Sequence, residues 1–282
     1  MKFRFCIVLF LCWIVSSCAT WYQRTAAFQD AVSKGEFEQA EKLLQKDKKQ
    51  ARDKNKILYY LNQGYVEFML GHYEKSNQAF EIAEQLTEDQ QRNLLTEAAV
   101  LISNPEIRPY RPEDFEVIMI NFYKALNYLQ LNNMEDALVE VRKINIRLQQ
   151  LNDKYPDHKN RYQRDAFAQL LMGLIYDAAG DYNNAFIAYR NAYNTYQTDY
   201  LKNFGLAAPE QLEKDLLRTA YQSGLTQELA GYEKEFQQKY TPAPLPANGQ
   251  LEFFWLNGFG PVKAEWGITF TKIDKGDGVI VF

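Results

Sequence analysis

Side chains that could carry out chemistry are scarce in this sequence of 282 residues. It has two histidines, His72 and His158, and three cysteines, Cys6, Cys12 and Cys18. A nucleophile with its base, or a Cys/His metal site, needs such side chains close together in the body of the chain. The cysteines all precede the body of the chain, and no phosphate-binding glycine loop occurs. The sequence therefore predicts a protein that is not an enzyme and that binds no metal and no cofactor.

Two pairs of carboxylates could serve as an acid and a base, namely Glu113-Asp114 and Glu135-Asp136. Each pair lies where a helix is predicted to begin, and an acidic side chain there stabilises the exposed amides and the helix dipole. Residues 274–278 look like part of a calcium-binding loop but lack its later acidic ligands, which favours a turn. We interpret all these carboxylates as structural.

The charge balance argues against nucleic acid as a partner. The 32 basic residues are slightly outnumbered by 36 acidic ones, which gives a formal charge of −4. No block of like charge occurs, whereas a nucleic-acid-binding protein usually carries a basic patch. With 46% hydrophobic residues, the chain can bury a substantial core.

The N-terminus has the features of a targeting segment. Lys2 and Arg4 precede an apolar run over residues 5–15, which is too short to span a bilayer of about 30 Å but suits a signal peptide. The letters VSSC follow, end at Cys18, and resemble a bacterial lipobox. This resemblance implies a signal peptide over 1–17 and an acylated Cys18. The alternative is an ordinary signal peptide, or an N-terminal anchor, in which the cysteine is incidental.

Acylation would fix the location of the protein. Several acyl chains on Cys18 hold a protein on a membrane permanently. Ala19 and Thr20 follow the cysteine, and by resemblance to the sorting rules of Gram-negative bacteria they favour the outer membrane. The absence of an acidic cluster after Cys18 favours its periplasmic face. Once the signal peptide is removed, no other cysteine remains, so no disulfide framework is expected.

Small residues recur at a fixed distance from aromatic ones. Gly64 is followed sixteen residues later by Phe80, and Gly173 by Tyr189. A small residue lets the two helices of a hairpin approach closely, and the aromatic residue fills the gap between them. Ala125 begins a third unit in the same register. The pattern resembles the tetratricopeptide repeat, a helix–turn–helix unit of about 34 residues that stacks on its neighbours.

Turn residues fall at matching places in these units. Gly71, Gly180 and Asn132 lie seven residues after the small residue, where the chain must reverse. A weaker unit precedes them around Gly35, and a closing helix pair turns near Gly224. Proline-rich or polar insertions at 102–114 and 151–162 separate the units. We predict about four to five hairpins in all.

The C-terminal stretch has a different character. Residues 241–249 contain three prolines and read as an extended linker. Residues 250–282 carry aromatic and β-branched runs between glycine-containing turns, which is typical of short strands. The predicted fold class is mainly α, a tetratricopeptide-like α-solenoid with a small C-terminal β region. The predicted domains are a signal peptide (1–17), the helical repeat domain (18–240), the linker (241–249) and the β region (250–282).

Several motifs together resemble a family of uncharacterised bacterial envelope lipoproteins. They are the lipobox, PYRPEDFE at 109–116, ALNYL at 125–129, DAFAQLLMGLIYDAAGDYNNA at 165–185 and NGFGPVK at 257–263. The resemblance covers roughly residues 55–270. It implies a periplasm-facing lipoprotein, and through the genes near those of its members it associates the chain with cell-wall synthesis. It implies no activity.

The tetratricopeptide resemblance also implies a binding surface on the first helix of each hairpin. The positions that line the concave face are mostly apolar here, which favours apolar or aromatic side chains of an envelope protein over a free carboxylate. The alternative is that other parts of the chain bury these residues. The candidate residues for partner binding are Tyr65, Phe68, Met69, Phe122, Leu126, Leu129, Leu170, Leu174 and Asp177.

A second function remains open at this point. Tyr110, Trp255 and Trp266 could stack on sugar rings, which would make the protein a binder of peptidoglycan or another glycan. The favoured prediction is a scaffold for a protein partner in cell-envelope or cell-wall assembly.

Overall fold

A computed structural model describes residues 21–93, 109–154, 164–242, 253, 273–274 and 280–281. Within these residues the chain forms ten α-helices of ten residues or more, one α-helical turn of four residues and two short strands. The helices are α1 (Trp21–Ser33), α2 (Phe37–Lys46), α3 (Lys56–Met69), α4 (Tyr73–Asn93), α5 (Asp114–Gln130), α6 (Met134–Lys154), α7 (Ala166–Ala178), α8 (Tyr182–Thr195), α9 (Glu210–Gln222) and α10 (Thr226–Glu235).

Two irregular segments interrupt this series. A 3-10 helix, Lys48–Arg52, lies between α2 and α3. Helix α8 continues through a π-helical segment, Tyr196–Tyr200, into a last α-helical turn, Leu201–Phe204. This last helical turn ends at Gly205, whose φ of 67° lies in the left-handed region.

The chain divides into two compact units, and all ten helices belong to the first, which ends at Tyr240. In the second unit the structure describes β1 (Ile273–Asp274), which pairs antiparallel with β2 (Ile280–Val281). Most of the predicted linker and β region lies outside the described residues. The β region beyond this strand pair therefore stays a prediction.

Each helix of the first unit packs mainly on its neighbours in sequence, as in a repeat array. The prediction of a mainly α fold built from helical hairpins is confirmed. The pairs are α1 with α2, α3 with α4, α5 with α6, α7 with α8 and α9 with α10.

All five hairpins reverse through the same backbone motif. At the end of α3, the Gly71 N–H donates to the Phe68 carbonyl at 3.0 Å and the His72 N–H to the Glu67 carbonyl at 2.9 Å. This double hydrogen bond is the Schellman motif, which needs a left-handed residue at the turn. The left-handed residues of the five turns are Gly35, Gly71, Asn132, Gly180 and Gly224, with φ between 55° and 77°.

The turn motif leads to a clean prediction at Gly180. A Cβ at Gly180 would meet nothing within 4 Å, but an alanine would be strained by the backbone φ of 77°. We expect Gly180→Ala to lower the free energy of unfolding by about 1 kcal/mol through backbone strain alone. Asn132→Gly, at a φ of 55°, should cost little or nothing. Urea unfolding of both variants checks this, and equal losses at the two positions would contradict it.

The small residues allow the close packing that their spacing predicts. A Cβ built on Gly64 would lie 2.8 Å from the ring of Phe80, and one on Gly173 would overlap the ring of Tyr189. Ser76 Oγ donates to the Gly64 carbonyl at 2.7 Å, which further joins α3 to α4. The predicted distance of sixteen residues therefore corresponds to real contacts in two hairpins.

Candidate functional site

Aromatic side chains meet where α3 packs near α5. The ring of Tyr123 lies 5.7 Å from Tyr65, 5.0 Å from Phe68 and 5.6 Å from Phe80, measured between centroids. The rings of Phe80 and Tyr123 are stacked with 3° between their planes, while the other two contacts are edge-on. Offset and edge-on contacts of this kind stabilise aromatic pairs beyond their buried area.

The same contacts continue in both directions, onto the second helix of the first hairpin and the first helix of the fourth. Phe37 lies 6.2 Å from Tyr65, Phe122 lies 5.6 Å from Tyr123, and Phe167 lies 5.4 Å from Phe122. The row thus extends from the start of α2 to the start of α7. We call these residues the aromatic row: Phe37, Tyr65, Phe68, Phe122, Tyr123 and Phe167.

Most of the predicted partner-binding residues lie at the boundary between core and solvent. Phe122 and Leu126 do not, since they are 1% and 7% exposed and belong to the core. These two side chains therefore contribute to packing and offer no free surface, as the alternative of a filled groove anticipates. The residues that are half-buried are Tyr65, Phe68, Met69, Leu129, Leu170, Leu174 and Asp177.

Tyr123, at the centre of the row, was not among the predicted residues. The repeat register selects Phe122 on this helix and passes over its neighbour, although both rings pack into the row. Burial raises the pKa of Tyr123 above its ordinary range, so the phenol stays neutral. The doublet Phe122-Tyr123 in α5 was the only sequence signal for this second ring.

Asp177 is held by partners of its own chain. Arg218 on α9 donates to both of its carboxylate oxygens and also pairs with Asp215 at 2.8 Å. The Tyr189 hydroxyl donates to Asp177 at 3.1 Å. Asp177 thus ties α7 to α8 and α9, and its charge is compensated within the fold.

A buried ionic cluster joins the second and third hairpins. Lys124 on α5 is 2% exposed, and its Nζ lies 2.7 Å from Glu81, 3.0 Å from Glu84 and 3.1 Å from Glu140. Asn121, one turn earlier, donates to Glu84 at 3.0 Å and to Glu140 at 2.8 Å. We call these five residues the α5 ionic cluster.

Two further cations flank this cluster from α6. Lys143 lies 3.1 Å from Glu84 and 3.4 Å from Glu140, and Arg147 lies 3.5 Å from Glu84. Burial opposes the charge on Lys124, but the carboxylates of Glu140, Glu81 and Glu84 raise its pKa above the ordinary range. Lys124 therefore keeps its positive charge in the core, with carboxylates from two hairpins around its Nζ.

The cluster predicts how stability depends on pH. Burial opposes the charge on Glu84, but hydrogen bonds and attraction from Asn121 and Lys124 outweigh it and lower its pKa from 4.5 to about 2. The ionised Glu84 carboxylate contributes its full stabilisation above the pKa that it has in the unfolded chain. This stabilisation is lost as pH falls from about 4.5 to about 2. The difference between pKa values of 4.5 and about 2 corresponds to about 3 kcal/mol of stability.

The measurement is urea unfolding at several pH values between 2 and 6. Glu84→Gln should flatten the pH dependence of the unfolding free energy, and Glu74→Gln, on the exposed face of the same helix, should leave it unchanged. An unaltered slope in Glu84→Gln would contradict the assignment.

The sequence of α5 contains a polar pattern that indicates the α5 ionic cluster, although the repeat register does not use it. Asn121, Lys124 and Asn127 follow one another at intervals of three in an otherwise apolar helix, and all three are buried. Asn127 donates to Ser76 at 2.9 Å and to Asn77 at 2.8 Å. A polar stripe on the buried side of a helix indicates partners on a neighbouring element, because unpaired polar groups are costly in a core.

Glu113 and His72, two of the residues considered for catalysis, have structural partners. Glu113 caps α5, and its N–H donates to Glu116 at 2.7 Å in a capping box. His72 is more constrained than a solvated turn residue, because its Nδ1 lies 2.8 Å from the buried carboxylate of Glu67. His158 lies outside the described residues. Within the described part of the chain, no group of three or more His, Cys, Asp or Glu could hold a metal ion.

Of the predicted glycan-stacking residues, the structure describes Tyr110. Its hydroxyl donates to Glu116 at 2.7 Å, and its backbone N–H donates to the Lys54 carbonyl at 2.8 Å. These bonds fix the ring beside the start of α5. Trp255 and Trp266 lie outside the described residues.

No described helix combines the length and the apolar character that crossing a membrane requires. The predicted signal peptide and Cys18 lie outside the described residues. Membrane attachment through Cys18 therefore stays a prediction.

No protein-family model matches this chain, and no curated protein matches it in sequence. Its structure is similar to the crystal structure of BtubC (BKLC) from P. vanneervenii, with a TM-score of 0.50 and 17% sequence identity. The match covers 82% of this chain and 86% of BtubC. At this identity the similarity concerns the fold alone. Together with the five hairpins, the similarity shows that the described helices have a tetratricopeptide-like repeat fold.

Proposed function

We propose that this chain is a scaffold that binds a protein partner through the first helices of its hairpins. The observation that carries the proposal is the half-buried aromatic and aliphatic surface along these helices. Exposed apolar patches rimmed by polar residues are typical of protein interaction sites. Rigid aromatic side chains lose little conformational entropy on binding and dominate the energetics of many interfaces.

The chemistry of this surface favours a partner that presents apolar side chains. Phe167 is 38% exposed at the start of α7, and Leu170 and Leu174 follow it on the same helix. Residues three and four apart share one face of a helix, so these side chains form a continuous strip. The carboxylate of Asp177 beyond them is already paired with Arg218. The strip therefore suits an apolar segment of the partner.

The proposal includes a lipid anchor at Cys18 on the periplasmic face of the outer membrane of a Gram-negative bacterium. It rests on the apolar run at 5–15 and the lipobox letters. Helix α1 begins at Trp21, three residues after the cysteine. An acylated Cys18 would hold the repeat directly at the membrane surface, and the role we propose for it there is in cell-envelope or cell-wall assembly.

Crosslinking in intact envelopes, followed by purification of the chain, tests the binding proposal. We expect Phe68→Gln/Leu174→Gln to reduce the crosslinked partner at least tenfold, because polar side chains would replace two apolar anchors. Ile82→Gln/Ile187→Gln is the matched control, since each isoleucine is 38% exposed on a second helix. Equal capture by all three proteins would overturn the proposal.

Fractionation of the producing cells tests the anchor. The full chain should appear in the outer membrane, and Cys18→Ala should no longer be extracted with lipid-modified protein.

Sedimentation with purified peptidoglycan tests the alternative function. If the chain sediments with peptidoglycan and the Trp255→Ala variant does not, the result would favour glycan binding.

A further inference from the structure

A groove of about 540 Å³ lies between the 3-10 helix, α3 and α4. Three exposed cations line it, and a tyrosine hydroxyl and two glutamine amides add neutral hydrogen-bond donors. A volume of this size is common for a site that binds a small ligand. The residues that we call the basic groove are Lys48, Arg52, Lys75, Tyr60, Gln63 and Gln78.

The fold separates these cations from the acidic residues that interrupt them in sequence. Residues 46–56 contain six basic side chains and two carboxylates, Asp47 and Asp53. Positions three apart share one face of a 3-10 helix, and Asp47 bonds to Gln50 on a face that lines a different cavity, beside α1. The Asp53 carboxylate accepts from the Asn55 N–H at 2.7 Å. Both carboxylates are thus engaged by their own segment.

The cations of the basic groove carry uncompensated charge. In the part of the chain that the structure describes, Lys48, Arg52 and Lys75 form no ion pair, unlike the buried Lys124. A cleft lined by charges of one sign concentrates the field that attracts a ligand of the opposite sign. Guanidinium and ammonium groups match the oxygens of a phosphate group particularly well. The basic groove therefore suits a phosphate-bearing anion.

The basic groove lies at the end of the repeat where the predicted anchor attaches. Because α1 and α2 form a hairpin, the chain returns after α2 to the start of α1. Thr25 on α1 and Gln50 on the 3-10 helix line one cavity, in agreement with this path. Trp21, where α1 begins, is three residues from Cys18, a chain length of at most about 11 Å. An acylated Cys18 would therefore keep this end of the repeat near lipid.

We propose that the basic groove binds the phosphate of an anionic phospholipid headgroup in the membrane that holds Cys18. The inference rests on the proposed function, because the anchor brings this end of the repeat to the membrane. The phosphate oxygens would accept hydrogen bonds from Lys48, Arg52 and Lys75. The position beside the anchor favours a lipid over an acidic peptide. Attachment at two points would restrict rotation of the repeat about its anchor.

The test uses the full chain as the cell processes it, purified in a neutral detergent and titrated with phosphatidylglycerol or phosphatidylcholine. Native mass spectrometry measures how many lipids each chain retains. Phosphatidylglycerol should bind at least tenfold more tightly, because the choline cation cancels the phosphate charge of the other lipid. Lys48→Gln/Arg52→Gln/Lys75→Gln should weaken phosphatidylglycerol binding about 100-fold, from about fivefold for each cation lost.

A matched control removes the same charge elsewhere. Lys42→Gln/Lys202→Gln/Lys234→Gln replaces three exposed lysines outside the groove and should bind phosphatidylglycerol as the parent does. Both triple variants should keep the melting temperature of the parent within about 3 °C, because exposed cations without ion pairs contribute little to stability.

A gain of binding provides an independent check. Gln78 is exposed in the groove, and Gln78→Lys would add a fourth cation there. This variant should bind phosphatidylglycerol about fivefold more tightly than the parent. Unchanged or weaker binding would contradict the assignment.

Several other results would overturn the inference. They are equal binding of the two lipids, equal losses in the two triple variants, and a melting temperature that falls together with binding. Inorganic phosphate and hexaglutamate test the other sources of negative charge. If either binds the parent more tightly than phosphatidylglycerol does and loses this affinity in the groove variant, the site takes free phosphate or an acidic peptide, and the lipid assignment is wrong.

Cell fractionation separates this inference from the proposed function. If Cys18→Ala leaves the membrane fraction while the groove variant binds phosphatidylglycerol as well as the parent, the inference on the basic groove fails alone. If Cys18→Ala fractionates like the parent, the anchor fails, and the inference that rests on it fails as well.

Discussion

Lys124→Met is expected to destabilise the repeat by about 3–5 kcal/mol, the cost of breaking a buried ion pair by removing one partner. The methionine would fill much of the space, but it would leave the carboxylates of Glu84 and Glu140, which are 5% and 3% exposed, without their central cation. Uncompensated buried charge is the reason for the loss, and lost packing contributes little.

Urea and thermal unfolding measure this effect. For a repeat of this size, a loss of 3–5 kcal/mol lowers the melting temperature by roughly 6–20 °C. Lys143→Met is the matched control, because that lysine contacts the same two carboxylates but is 36% exposed. It should cost about 1 kcal/mol or less. Similar losses for both variants would show that the cluster has no central cation.

Replacing three residues of the cluster together distinguishes uncompensated charge from lost packing as the cause of the destabilisation. Exchanging Lys124, Glu84 and Glu140 together for apolar residues of similar volume should recover most of the stability, as it does for other buried ionic groups. If the triple replacement is as unstable as Lys124→Met, packing rather than charge governs this region.

Gly173→Ala is expected to be the most damaging of the small substitutions, at about 3 kcal/mol. The added methyl group would overlap the ring of Tyr189, which is fully buried and hydrogen-bonded to Asp177 and therefore has nowhere to move. Overpacking a rigid core forces backbone shifts, and their cost reaches this size. The two helices α7 and α8 would have to separate.

A double-mutant cycle isolates this contact. Gly173→Ala should cost much less in a Tyr189→Leu background, where the ring is absent, and the coupling energy should exceed 1 kcal/mol. Gly231→Ala on α10 is the matched control, because a Cβ there meets nothing within 4 Å. It should raise stability by up to about 1 kcal/mol through helix propensity. Additive effects in the cycle would contradict the register of the hairpins.

The local architecture could be predicted from the sequence because its signals act within a single hairpin. Gly71, Asn132 and Gly180 adopt the left-handed conformation that their types and positions indicate. Gly64 and Gly173 meet the aromatic residues found sixteen positions later. Each of these contacts is set by helix period and turn geometry over some twenty residues, so a pattern along the chain is sufficient to find it.

Contacts between hairpins were decided by the tertiary structure. The repeat register identified Phe122 and Leu126 as surface residues, yet both are buried, and Phe122 packs against Phe167 of the next hairpin. Lys124 reaches carboxylates forty and more residues before it in sequence, and Asp177 pairs with an arginine two helices later. Hydrophobic period shows which side of a helix is covered but not what covers it. Long-range ionic pairing depends on that second fact, which exists only once the hairpins are packed.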